Sequence, residues 1–125
     1  MKDNRLIAEF MGATIKTSRQ IAAYAGGINK ESSEMWADFE DKFCPIDALE
    51  YHKSWDWLMP VVEKIEGDSI DLNISVVIKN NKCGIYRHKN SPYEYCIIVL
   101  ESESKIKTTW LAVIEFIKWY NQNNN

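Results

Sequence analysis

Between Ile70 and Lys79 the chain alternates without a break: Ile70, Leu72, Ile74, Val76 and Ile78 are separated by Asp71, Asn73, Ser75, Val77 and Lys79. Side chains repeat every two residues along a strand, so the run predicts a β-strand with one continuous apolar face. Asn80-Asn81 follows, a pair that tolerates the positive φ of a tight hairpin turn, and sends the chain back over Lys82 to His88. Ser91-Pro92 turns it again into Tyr93 to Leu100, which makes three antiparallel strands. An apolar sheet face needs a cover. From Ser104 the spacing changes to Ile106, Trp110, Val113, Ile117 and Tyr120, with Leu111, Ile114 and Phe116 widening the stripe, so a long C-terminal helix is predicted to pack on the sheet.

Upstream, Asp3 can cap a helix over about 4–11 whose Leu6, Ile7, Phe10 and Met11 recur at helical spacing and which Gly12 ends. Ser54 can cap another over Trp55 to Glu66, closed by Gly67-Asp68. Pro60 lacks the N–H that would reach the Asp56 carbonyl, so a kink or restart is expected there. Between these helices Trp36, Phe39 and Phe43 stand at i, i+3 and i+7 behind Ser32 or Ser33. That spacing predicts an amphipathic helix at about 33–43, ended before Pro45, with its acids facing solvent.

The 125 residues are thus read as one α+β domain, a three-stranded antiparallel sheet covered by helices in the manner of an αβα sandwich. Residues 13–51 are an elaborated segment within it, and the polar residues 121–125 a frayed tail.

Fifteen Lys and Arg against eighteen Asp and Glu leave a net charge of -3, a field that repels a polyanion and argues against binding polymeric nucleic acid. The average hides a step. Residues 13–30 carry Lys16, Arg19 and Lys30 with no acid, whereas residues 31–50 carry seven acids against Lys42 alone. Cys44, Cys83 and Cys96 are an odd, widely spaced set without CxxC, which suggests reduced thiols rather than a disulfide frame or a zinc site. Neither a leader-like apolar run nor a membrane-spanning one is present, so a cytoplasmic protein is expected.

Chemistry-bearing motifs are sparse. His52 and His88 are the only histidines and make no HxxxH or HExxH pair, Gly26-Gly27 does not lead into GK[ST], and GxSxG is missing. Cys44, with His52 eight residues on, reads as a small buried hydrophobe. Without an acid, base or nucleophile beside an orienting group, the sequence predicts a binding protein rather than an enzyme, with no cofactor or metal. Trp57, Trp110 and Phe116 belong to core stripes, which leaves Tyr24, Trp36, Tyr51 and Trp55 as rings free to stack on a ligand. Lys16, Arg19 and Arg87 are the cations for a phosphate, Arg87 foremost because a guanidinium can grip two phosphate oxygens at once.

The strings Leu6-Ile7-Ala8-Glu9-Phe10-Met11-Gly12, Ser54-Trp55-Asp56-Trp57-Leu58-Met59-Pro60-Val61-Val62-Glu63-Lys64-Ile65 and Trp110-Leu111-Ala112-Val113-Ile114-Glu115-Phe116-Ile117-Lys118-Trp119-Tyr120 resemble small phage and prophage proteins of the phage ABA sandwich domain. The resemblance implies a sheet between helices. It implies no general activity, but small non-enzymatic phage proteins often block host defence, by sequestering a nucleotide signal or by masking a host protein. Two expectations follow: sequestration of a small nucleotide-derived ligand, or inhibition of a host defence protein through the acidic helix. Self-association is compatible with both, since a three-stranded sheet leaves two edges.

Overall fold

In a computed structural model, residues 2–67, 70, 72–88 and 94–123 are described. Asp68, Asp71, Lys89, the Ser91-Pro92 turn, Tyr93 and the last two asparagines of the tail lie outside them. The described residues form four α-helices and two three-stranded antiparallel sheets, an α+β fold with a long C-terminal helix. The chain divides into two compact units, residues 1–49 and residues 50–125.

In the first unit α1 (Lys2–Phe10) buries Ile7 and Ala8, and Gly12 follows at φ +100° in the left-handed region the turn demands. Three strands follow, β1 (Thr14–Thr17), β2 (Met35–Phe39) and β3 (Lys42–Pro45), in the order β1-β2-β3. Helix α2 (Ser18–Ala22) leaves β1 through a capping box: the Thr17 side chain accepts from the Gln20 N–H at 3.2 Å, and the Gln20 side chain accepts from the Thr17 N–H at 2.7 Å.

This second sheet corrects the helix expected at about 33–43. Those residues are the hairpin β2–β3, with Phe39 opposite Lys42 and Glu40-Asp41 as its two-residue turn, at φ 53° and 71°. Two causes outweigh the helical spacing. The Asp38 carboxylate accepts the Asp41 N–H at 2.8 Å, which fixes the turn locally, and β1 supplies a hydrogen-bonded neighbour that spacing along the chain does not reveal. The acids expected on one helix face lie instead on this hairpin and the segments around it.

In the second unit α3 (Trp55–Glu66) runs through Pro60, which lies on its exposed side, and buries Leu58, Val61, Val62 and Ile65. Ser54 contributes its carbonyl to the Trp57 and Leu58 N–H groups rather than a side-chain cap. The sheet is β4 (Ile74–Lys79), β5 (Lys82–His88) and β6 (Glu94–Glu101), in that order. The alternating run becomes strand only from Ile74 because Asn73 sits at φ 54°, outside strand geometry, and turns its amide to the His88 carbonyl at 3.1 Å. At the other end Asn80 takes φ 53° in the hairpin turn.

Helix α4 (Lys105–Asn123) packs on β5 and β6 and buries Trp110, Val113, Ile114, Phe116 and Ile117. It remains helical through Asn123, so residues 121–123 of the expected tail are the end of this helix. Cross-strand partners share a face, so Ile78, Cys83 and Leu100 form one row, and Val76, Ile85 and Ile98 the next. On the opposite face Val77 and Val99, each about half exposed, flank Gly84. The Tyr86 ring lies over that glycine, where an added Cβ would meet it at 2.5–2.8 Å.

Candidate functional site

The seven candidate residues separate into two groups. Lys16, Arg19, Tyr24 and Trp36 belong to the first unit; Tyr51, Trp55 and Arg87 belong to the second.

Within the first unit the structure brings Lys16, Tyr24 and Trp36 together, but around an acid. Lys16 on β1 pairs across the sheet with Trp36 on β2, and its Nζ stands 5.7 Å from the centre of the Tyr24 ring. The same ammonium contacts the Asp38 carboxylate at 2.7 Å, although Asp38 is only 8% exposed. The hydrogen bond to Lys16, with a second from the Asp41 N–H, holds the Asp38 carboxyl below the usual carboxylate range. Reciprocally, the bond to Asp38 raises Lys16 above the ordinary lysine value. Arg19 is spent in the same way on Glu31 at 3.0 Å, an exposed pair of small energetic weight. The Trp36 indole donates to the buried Ser18 hydroxyl at 3.0 Å, and that hydroxyl donates to the Glu34 carbonyl at 2.8 Å. A cavity of about 510 Å³ lies in this unit between Arg5, Ser33, Glu34, Met35 and Asp47, and none of the seven candidates lines it.

In the second unit Tyr51 is buried, its ring edge-on to Trp57 with centroids 5.2 Å apart, which makes it core rather than a stacking platform. Trp55 is half-buried at the first turn of α3. Arg87 is different. It lines a cavity of about 220 Å³ together with Tyr95, Trp119 and Asn123. Arg87 and Tyr95 are cross-strand partners on β5 and β6, and Trp119 and Asn123 occupy successive turns at the end of α4.

Arg87 has no carboxylate partner among the described residues. Tyr95 is 56% exposed and touches no other ring among them, while Trp119 leans on Phe116 with centroids 5.7 Å apart. None of the four lining residues is acidic. A guanidinium, two aromatic side chains and an amide around one small cavity are groups that suit a small anion with a flat apolar part.

Sequence reasoning reached Arg87 and missed its three neighbours. Tyr95 comes opposite Arg87 through the β5–β6 pairing, whose register shifts between Ile85 and Tyr86, so a turn at Ser91-Pro92 does not reveal it. Trp119 and Asn123 carry no signal either, since their role comes from where α4 ends over the sheet. Among the described residues no group of three His, Cys, Asp or Glu side chains could hold a metal, and no helix is long and apolar enough to cross a membrane. Cys83 is buried, and burial pushes its thiol up to about 11, despite a hydrogen bond to Thr109, far from the range of a reactive thiolate.

Compared with known proteins, the chain matches no family model, no curated protein and no solved structure.

Proposed function

We propose that this protein binds, without transforming it, a small nucleotide-derived anion in the cavity formed by Arg87, Tyr95, Trp119 and Asn123. One observation carries the reading: Arg87 lines a cavity with two aromatic side chains and no counter-acid among the described residues, while Lys16 and Arg19 each already hold a carboxylate. At about 220 Å³ the cavity falls below the range typical of sites that enclose a drug-sized ligand, ~300–1,000 Å³, so the fit is to a mononucleotide whose base and phosphate are held and whose sugar stays in water. The resemblance of the sequence to small phage proteins gives such binding a biological sense, the sequestration of a nucleotide signal used by a host defence.

Titration with nucleoside monophosphates tests this directly. A ligand present at 100 times its dissociation constant adds about 2.7 kcal/mol of stability, visible as a raised melting temperature. Arg87→Ala removes a charge-assisted hydrogen bond of roughly 1.5–3 kcal/mol and is expected to weaken binding about 10- to 100-fold. Arg19→Ala leaves affinity unchanged. The reading fails if no nucleotide shifts the melting temperature, or if affinity follows Arg19 instead of Arg87.

A further inference from the structure

The amide of Asn123 is held by the helix that carries it. Its Nδ2 donates to the Trp119 carbonyl, one turn back, at 2.8 Å. The nitrogen end is thereby turned toward the helix, and the carbonyl end, Oδ1, accepts no hydrogen bond from another described residue, on a side chain that lines the cavity. The other polar groups lining that cavity supply donors: the five N–H bonds of the Arg87 guanidinium, the Trp119 indole N–H and the Tyr95 hydroxyl. Among the lining side chains, Asn123 Oδ1 is the acceptor that has no proton of its own to offer. A base whose edge presents an N–H replaces the water that an exposed acceptor otherwise holds; a base presenting only C–H or lone pairs there displaces that water without returning its hydrogen bond.

We infer that Asn123 is a specificity-determining residue, and that the cavity selects nucleotides whose base presents an N–H to it, an exocyclic amino group being one such donor. This rests on the proposed nucleotide reading and names the class within it. The guanidinium fixes the phosphate and the rings fix the plane of the base, so the amide reads the edge of a base already positioned by the other two.

Adenosine 5′-monophosphate and purine riboside 5′-monophosphate differ only in that amino group. Calorimetric titration of the intact protein with each is expected to give roughly tenfold tighter binding of the adenosine nucleotide, the value of one hydrogen bond of about 1.4 kcal/mol. Asn123 is exposed on the last turn of α4, so Asn123→Leu folds as the parent does. That variant is expected to bind both nucleotides alike, at the affinity the parent shows for the purine riboside form. Equal binding of the two nucleotides by the parent, with Arg87→Ala still weakening it, overturns the role of Asn123 and leaves the nucleotide site standing. Failure of both nucleotides to bind, or binding indifferent to Arg87→Ala, removes the site itself and this inference with it.

Discussion

At Asp38 a carboxylate that is 8% exposed is held by Lys16 Nζ at 2.7 Å and by the Asp41 N–H at 2.8 Å. Both partners favour its ionised form, so its folded pKa lies below its ordinary value. A depressed carboxyl pKa contributes stability that is present above the unfolded value and lost as pH falls through the folded one. The raised Lys16 does the reverse, contributing below the ordinary lysine value and ceasing to as pH rises through the folded one. The pair therefore supports the fold across the middle of the pH scale. Asp38→Asn is expected to lower the urea midpoint near neutral pH, with the gap to the parent closing as the solution is acidified below about pH 4. A gap that stays constant down the acid limb would deny Asp38 this role. Such pairing was not legible in the sequence, where Asp38 is one acid among seven and Lys16 lies twenty-two residues away. Arg87 was legible because a guanidinium carries its chemistry with it, whatever the fold.

The elements divide by how local their causes are. Helix α4 and strands β4 and β5 follow from periodicity sustained over many residues, and Asn80 announces the turn between those strands because asparagine tolerates φ 53°. The β2–β3 hairpin hides its turn. Glu40 and Asp41 both adopt left-handed φ, where glycine or asparagine would normally stand, and the aromatic spacing around them imitates a helix. Helix α2 had a local signal after all, the Thr17-x-x-Gln20 box, but five residues are too few for periodicity to register. A left-handed residue with a Cβ costs roughly 1–2 kcal/mol. Asp41→Gly is therefore expected to raise stability by about 1 kcal/mol, and Asp41→Val, with a β-branched side chain at φ 71°, to lower it. Thermal melts of the two variants check this; shifts of the same sign would show that the turn is set by something other than backbone conformation.

Over the whole molecule, the step from basic to acidic sequence at residues 30–31 is not a boundary between units, which falls at residues 49–50. The two charged stretches are each other's partners inside the first unit: Lys16 meets Asp38 and Arg19 meets Glu31. In the fold two cations of this segment are thus held by two of its seven acids, and the segment keeps an excess of acid. A guanidinium without a carboxylate partner among the described residues, that of Arg87, lies on the second unit, beside rings that the β5–β6 register and the end of α4 assemble. Hydrogen exchange of the intact protein, with and without saturating adenosine 5′-monophosphate, separates these two places. Slowed exchange is expected in β5, β6 and the last turns of α4, with exchange over residues 14–22 and 35–39 unchanged. Slowing confined to residues 14–39, or none anywhere, would contradict a nucleotide site at Arg87.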